Sequence, residues 1–113
     1  MPFDIVVFDD EYKFIKELHL DPGIHGALWR RIINPADYPN LGRATGDKED
    51  VIFAQEDVPD LITEVEKLEN YLHDEKMMSP EVKGKCLNFI GKLKEICLIA
   101  RAENKSVDFV AGD

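Results

Sequence analysis

From Val82 onward apolar residues recur three and four positions apart, at Val82, Cys86, Phe89, Ile90, Leu93, Ile96, Cys97 and Ala100, while Lys83, Lys85, Lys92, Lys94 and Arg101 lie mostly off that line. This spacing places one stripe of an α-helix against a core. Ser79-Pro80-Glu81 supplies the start: a capping hydroxyl, a proline where no donor is missed, and an acid at the positive end of the dipole. A helix is predicted from Ser79 to about Glu103, roughly seven turns. Upstream, Val58, Leu61, Ile62, Val65, Leu68 and Leu72 make a second stripe, with Glu64, Glu66, Lys67, Glu69 and Asn70 read as outward, so a helix is expected from about Asp57 to Glu75. The short connection through Lys76-Met77-Met78 makes the two an antiparallel pair.

The remaining pattern is mainly strand. Phe3 to Phe8 is a β-branched and aromatic run ending at Asp9-Asp10, a first strand followed by a turn. Phe14 to Leu20 fits either a helical patch or one face of a strand, and a strand hairpinned to the first is preferred. Val51 to Ala54 reads as a third strand, and Ser106 to Ala111 alternates as a last one. Between them, Asp21-Pro22-Gly23 opens a shorter helix reaching about Ile33, with Ile24, Ala27, Leu28 and Ile32 inward. Trp29 falls outside that stripe and suits either packing on a second element or an exposed contact. Asn34 to Gly42 is rich in breakers and is expected to be an ordered loop over Tyr38 and Leu41. The expected architecture is therefore α+β: one domain over 1–113, with a small sheet of three to four strands packed against a long antiparallel helix pair plus one shorter helix.

Composition adjusts this picture in two ways. At 113 residues with 44% apolar content, the chain can bury a core without metal or disulfides. Cys86 and Cys97 stand about 16 Å apart along one helix, beyond disulfide reach, and are expected to be buried, reduced thiols. No apolar run approaches the length of a membrane span, and the N-terminus lacks a signal-peptide pattern, so a cytoplasmic protein is expected. Charge is uneven: residues 1–79 hold 8 Lys/Arg against 18 Asp/Glu, residues 80–105 hold 6 against 3, and the whole chain carries −9. That polarity disfavours nucleic acid and suits a basic protein partner steered in by the field, although acidity that merely keeps the chain soluble fits as well.

The search for chemistry returns little. His19, His25 and His73 form no metal-ligand spacing with one another or with a cysteine. Ser79 and Ser106 begin a helix and a strand, and neither sits in a nucleophile elbow. Gly42 and Gly46 lack the phosphate-loop pattern. No catalytic residue, metal or cofactor is expected. Asp47, Glu49 and Asp50 in one turn, and Glu56, Asp57 and Asp60 around a helix start, flank the third strand. They can be solvated acids matched to the helix dipole, a patch for a basic partner, or a cation site or acid/base pair, though the turn lacks a calcium-loop spacing. Gly84 and Gly91, seven apart on the long helix, suggest close backbone approach.

Tyr38-Pro39-Asn40-Leu41, Asp50-Val51-Ile52-Phe53, the leucine-rich acidic second helix and the closing Phe109-Val110-Ala111-Gly112-Asp113 resemble small, mostly uncharacterised bacterial proteins. Some of these look like immunity proteins encoded beside polymorphic or contact-dependent growth-inhibition toxins. The resemblance implies an α+β fold and toxin neutralisation by direct binding and active-site occlusion, and it carries over no contact positions. The resulting expectation is a non-enzymatic acidic protein that binds a basic toxin domain. The alternative is a small structural or regulatory interaction module, monomeric or homodimeric. An interface needs an anchor among its acids, so the candidate partner surface is Tyr38 with Asp47, Glu49, Asp50, Asp57 and Asp60; Tyr38 as a core-covering residue competes with that role.

Overall fold

Proline and a capping side chain set the starts of two of the helices. In the computed structural model, which describes residues 3–8, 14–44 and 50–111, the Asp21 carboxylate accepts from the Gly23 amide at 2.8 Å and opens α1, Pro22–Trp29. The Ser79 hydroxyl accepts from the Val82 amide and opens α3, Pro80–Glu103. At the far end of α3, Asn104 adopts the left-handed conformation (φ 56°), and the Lys105 amide closes the turn on the Ala100 carbonyl at 2.8 Å. α2 spans Val58–Asp74. Its apolar stripe is buried from Val58 to Leu72 and packs along α3, as the two periodicities required.

The strands are β1 (Phe3–Phe8), β2 (Phe14–His19), β3 (Val51–Phe53) and β4 (Val107–Ala111), ordered β2-β1-β4-β3 and antiparallel throughout. The ambiguous stretch after Phe14 is thus the strand that pairs with the first. The two terminal stretches of the chain pair at the centre, with Ile5 opposite Phe109. Alternation sorts the sheet into two faces. Ile5, Val7, Phe53, Val107 and Phe109 are buried in the core that α3 covers, and the Phe53 and Phe109 rings meet edge-on at 5.2 Å. The α+β arrangement of a four-stranded sheet, a long helix pair and one shorter helix is therefore the fold.

Several local expectations are corrected. α1 ends at Trp29, not near Ile33: the Ile33 amide reaches back five residues to the Leu28 carbonyl instead of four to that of Trp29. Its inward stripe holds: Leu28 is buried and Ile24, Ala27 and Ile32 pack half-buried against the core, with His25 buried as well. Gly84 and Gly91 face open space, so no close approach explains them. Val82 is exposed rather than core, and Glu64, read as outward, is buried. Trp29 takes the packing role: its indole N–H donates to the Leu41 carbonyl at 3.0 Å, and its ring lies flat against His25 and edge-on to Phe89.

Candidate functional site

Register places the acids before their chemistry can be judged. Ile52 lies opposite Asp108 on β4, and residues directly opposite one another share a face. That face is open at β3, where Ile52 is 62% exposed. Asp50 stands exposed at the start of β3 and acts electrostatically on Asp108. Partial burial pushes the Asp108 carboxyl above the usual aspartate range, the Ser106 hydroxyl donating at 3.1 Å pulls it back, and the Asp50 charge adds to the rise. The result is an apolar side chain standing beside two carboxylates on an uncovered stretch of sheet.

The other predicted positions separate. Asp57 and Asp60 sit at the start of α2, beyond the opposite end of β3 from Asp50. Three strand residues put roughly 10 Å between those ends. The Asp57 side chain makes no capping bond, and Asp60 lies exposed in the first turn, where a negative charge suits the helix dipole. Asp47 and Glu49 lie outside the described residues. Tyr38 is only 4% exposed and belongs to the core, with the Lys67 ammonium 4.9 Å above its ring. Its packing role is what the structure displays. The exposed apolar group beside the acids is Ile52, which the sequence analysis placed in the third strand without assigning it a face.

Sequence reasoning also missed Glu64. Its carboxylate accepts from the Asn40 amide at 3.0 Å, the Leu41 amide at 3.0 Å and the Asn40 side-chain amide, which together dock the 34–44 loop onto α2. Lys67, one turn further on, donates to the Asp37 carbonyl at 2.9 Å. Three N–H donors stabilise a buried carboxylate, and a group so fully bonded has a structural task. The signal was present in the spacing: Glu64 falls three after Leu61 and four before Leu68, on the apolar stripe itself.

The cysteine and serine side chains have structural surroundings. Burial pushes the Cys97 thiol up to about 12 and raises Cys86 as well, so both stay protonated and unreactive at neutral pH. Both serines are engaged, Ser79 as a helix cap and Ser106 on Asp108. Among the described residues no group of His, Cys, Asp or Glu could hold a metal ion, and no helix is long and apolar enough to cross a membrane. Comparison with protein-family models, with curated proteins and with solved structures finds no match.

Proposed function

We propose that this chain is a non-catalytic, acidic binding protein of the immunity type, which captures a basic toxin domain in the cytoplasm and occludes its active site. The observation that supports binding is Ile52, 62% exposed, with Asp50 and Asp108 beside it. An apolar centre gives grip when water is excluded from it, and neighbouring charges give steering and register. The toxin as partner rests on the resemblance of the Tyr38–Leu41, Asp50–Phe53 and closing segments to immunity proteins. Asp47 and Glu49 precede Asp50 in sequence and add to the acidity of that stretch.

Cells expressing a toxin encoded beside this gene provide the test. The wild-type chain should protect them, and the double variant Asp50→Lys, Ile52→Arg should not, while retaining its melting temperature because both side chains are exposed. Association should slow steeply with added salt in the wild type and lose that dependence in the variant. A neighbouring gene with no toxin-like product, or a toxin that kills regardless of this protein, overturns the reading. The homodimeric alternative draws support from β3, a sheet-terminal strand of three residues, since a terminal strand can pair with a copy of itself. Sedimentation equilibrium separates the two: a strict monomer removes the dimer.

A further inference from the structure

On the helical side of the molecule lies a second surface, lined by Arg30, Arg31 and Lys67 together with Glu75 and Asp37. Three of the five large apolar side chains exposed among the described residues, Tyr71, Met77 and Val82, gather around one cleft of about 290 Å³. Ala27, Ile32 and Met78 complete its apolar wall. Two further hollows adjoin it, one sharing Ala27, Arg31 and Val82 with the cleft and the other sharing Arg31, Ile32 and Tyr71. Arg31 is common to all three, so the hollows, which reach from the start of α1 to the loop at Asp37 and Tyr38, meet around its side chain.

The groove is built rather than loose. Lys83 donates to the His73 and Glu75 carbonyls at 2.9 and 2.8 Å, joining α3 to the end of α2 across the turn. Glu75 accepts from the Tyr71 hydroxyl at 3.0 Å and from the Met77 amide, and these bonds hold its carboxyl below the ordinary glutamate range. Tyr71 and the Met77 backbone are therefore fixed relative to each other before any ligand arrives. Aromatic and methionine side chains with an arginine are the composition of interface anchors.

Charge decides what fits. Arg31 is exposed and makes no hydrogen bond or ion pair among the described residues, and Arg30 lines the adjoining hollow beside it. Glu75 and Asp37 also line these hollows and keep their charge, but their bonds go to Met77 and Tyr71 and to the Asn34 side-chain amide at 3.1 Å, which leaves the Arg31 donors to a ligand. Among the described residues Arg31, at the meeting of the three hollows, and Arg30, in one of them, have no acid partner, in a chain of net charge −9. A planar guanidinium presents paired donors that match a carboxylate.

We propose that this groove binds a segment of a partner polypeptide in which apolar side chains flank an aspartate or glutamate, the apolar groups seated against Tyr71, Met77 and Val82 and the carboxylate on Arg31. The occupant is a polypeptide because the site is a set of adjoining, half-open hollows, suited to alternate side chains of a chain. The surface is independent of the acidic sheet face, and neither reading depends on the other.

Selection from a displayed library of random decapeptides on the full-length chain tests this. The enriched peptides should share an acidic position beside two apolar ones, bind Arg31→Glu at least about 10-fold more weakly than wild type, and bind Met77→Ser more weakly as well. Both variants should melt with the wild type, since Arg31 is exposed without a partner and Met77 is 94% exposed. Replacing the acid of a selected peptide by lysine should recover affinity for Arg31→Glu. No enrichment, an enriched pattern without an acid, or affinity unchanged by Arg31→Glu each overturns the proposal. So does a concentration-dependent dimer that Arg31→Glu abolishes, because the groove would then be filled by a second copy.

Discussion

Helix α2 makes two contacts by opposite means. Toward α3 it offers Leu61, Ile62, Val65, Leu68 and Leu72, and that contact is held by area removed from water. Toward the 34–44 loop it offers one carboxylate, Glu64, and that contact is held by direction: two backbone amides and one side-chain amide aim at two oxygens. The apolar contact tolerates any residue of similar volume, whereas the polar one tolerates almost none. The sheet face and the groove therefore rest on a body of uneven robustness, with the loop carrying Tyr38 depending on a single side chain.

Removing one member from each contact should expose this contrast. Leu68→Ala deletes fully buried volume and should cost roughly 2–5 kcal/mol, lowering hydrogen-exchange protection across α2, α3 and the sheet alike. Glu64→Leu keeps the volume but leaves the Asn40 and Leu41 amides without acceptors, at about 3 kcal/mol. Its loss of protection should concentrate at Tyr38, Gly42 and Ala44, whose amides close the loop on itself, while amides in the middle of α3 are spared. If both variants lose protection uniformly, the loop is not a separable unit and the comparison fails.

Glycines sharpen the same contrast at lower energy. A Cβ on Gly42 would stand 2.7 Å from the Pro35 Cα and 2.8 Å from its nitrogen, backbone atoms that cannot yield without opening the loop. Gly42→Ala should therefore destabilise, by about 2 kcal/mol. Gly84 and Gly91 meet nothing within 4 Å, so Gly84→Ala and Gly91→Ala should each stabilise α3, by up to about 1 kcal/mol. Thermal denaturation of the three variants reads both signs at once. A Gly42→Ala protein as stable as wild type would show that the loop accommodates a side chain there.

What the sequence made legible follows the same division. The stripe of α2, the Ser79-Pro80 start of α3 and the Val107/Phe109 alternation are repeated patterns, in which many residues state one fact, and the fold followed from them. Glu64 is a single residue whose type argued outward and whose spacing argued inward, and the deciding donors lie on a loop 23 and 24 residues away. Gly84 and Gly91 suggested contact because glycine costs a helix stability, yet they occupy an exposed side of α3. Ile52 is exposed because three-residue β3 ends the sheet, which is a matter of topology. The groove around Arg31 joins α1, α2, α3 and the turn between the long helices, so no stretch of sequence contains it.

Asp108 gives the comparison its finest test, because it is a partly buried carboxylate that lacks what Glu64 has. Where Glu64 receives three N–H donors, Asp108 receives one hydroxyl, from Ser106, and feels the like charge of Asp50. Burial and that charge raise its folded-state pKa above the unfolded value, so between the two values the native state holds more protons than the unfolded one. Stability is therefore lost as pH rises through this window, and at neutral pH the ionised Asp108 is a net cost. Asp108→Asn keeps an oxygen to accept from Ser106 and removes the charge. The variant should melt above wild type at pH 7, by a small margin because the site is partly solvated, and the margin should close as pH falls below the ordinary aspartate range, where wild-type Asp108 is neutral too. Melting curves of both proteins across that range measure the difference directly. A margin that is absent at pH 7 would mean that donors other than Ser106 already balance this carboxylate as fully as Asn40 and Leu41 balance Glu64, and one that persists at low pH would mean that the amide, not the lost charge, stabilises the variant.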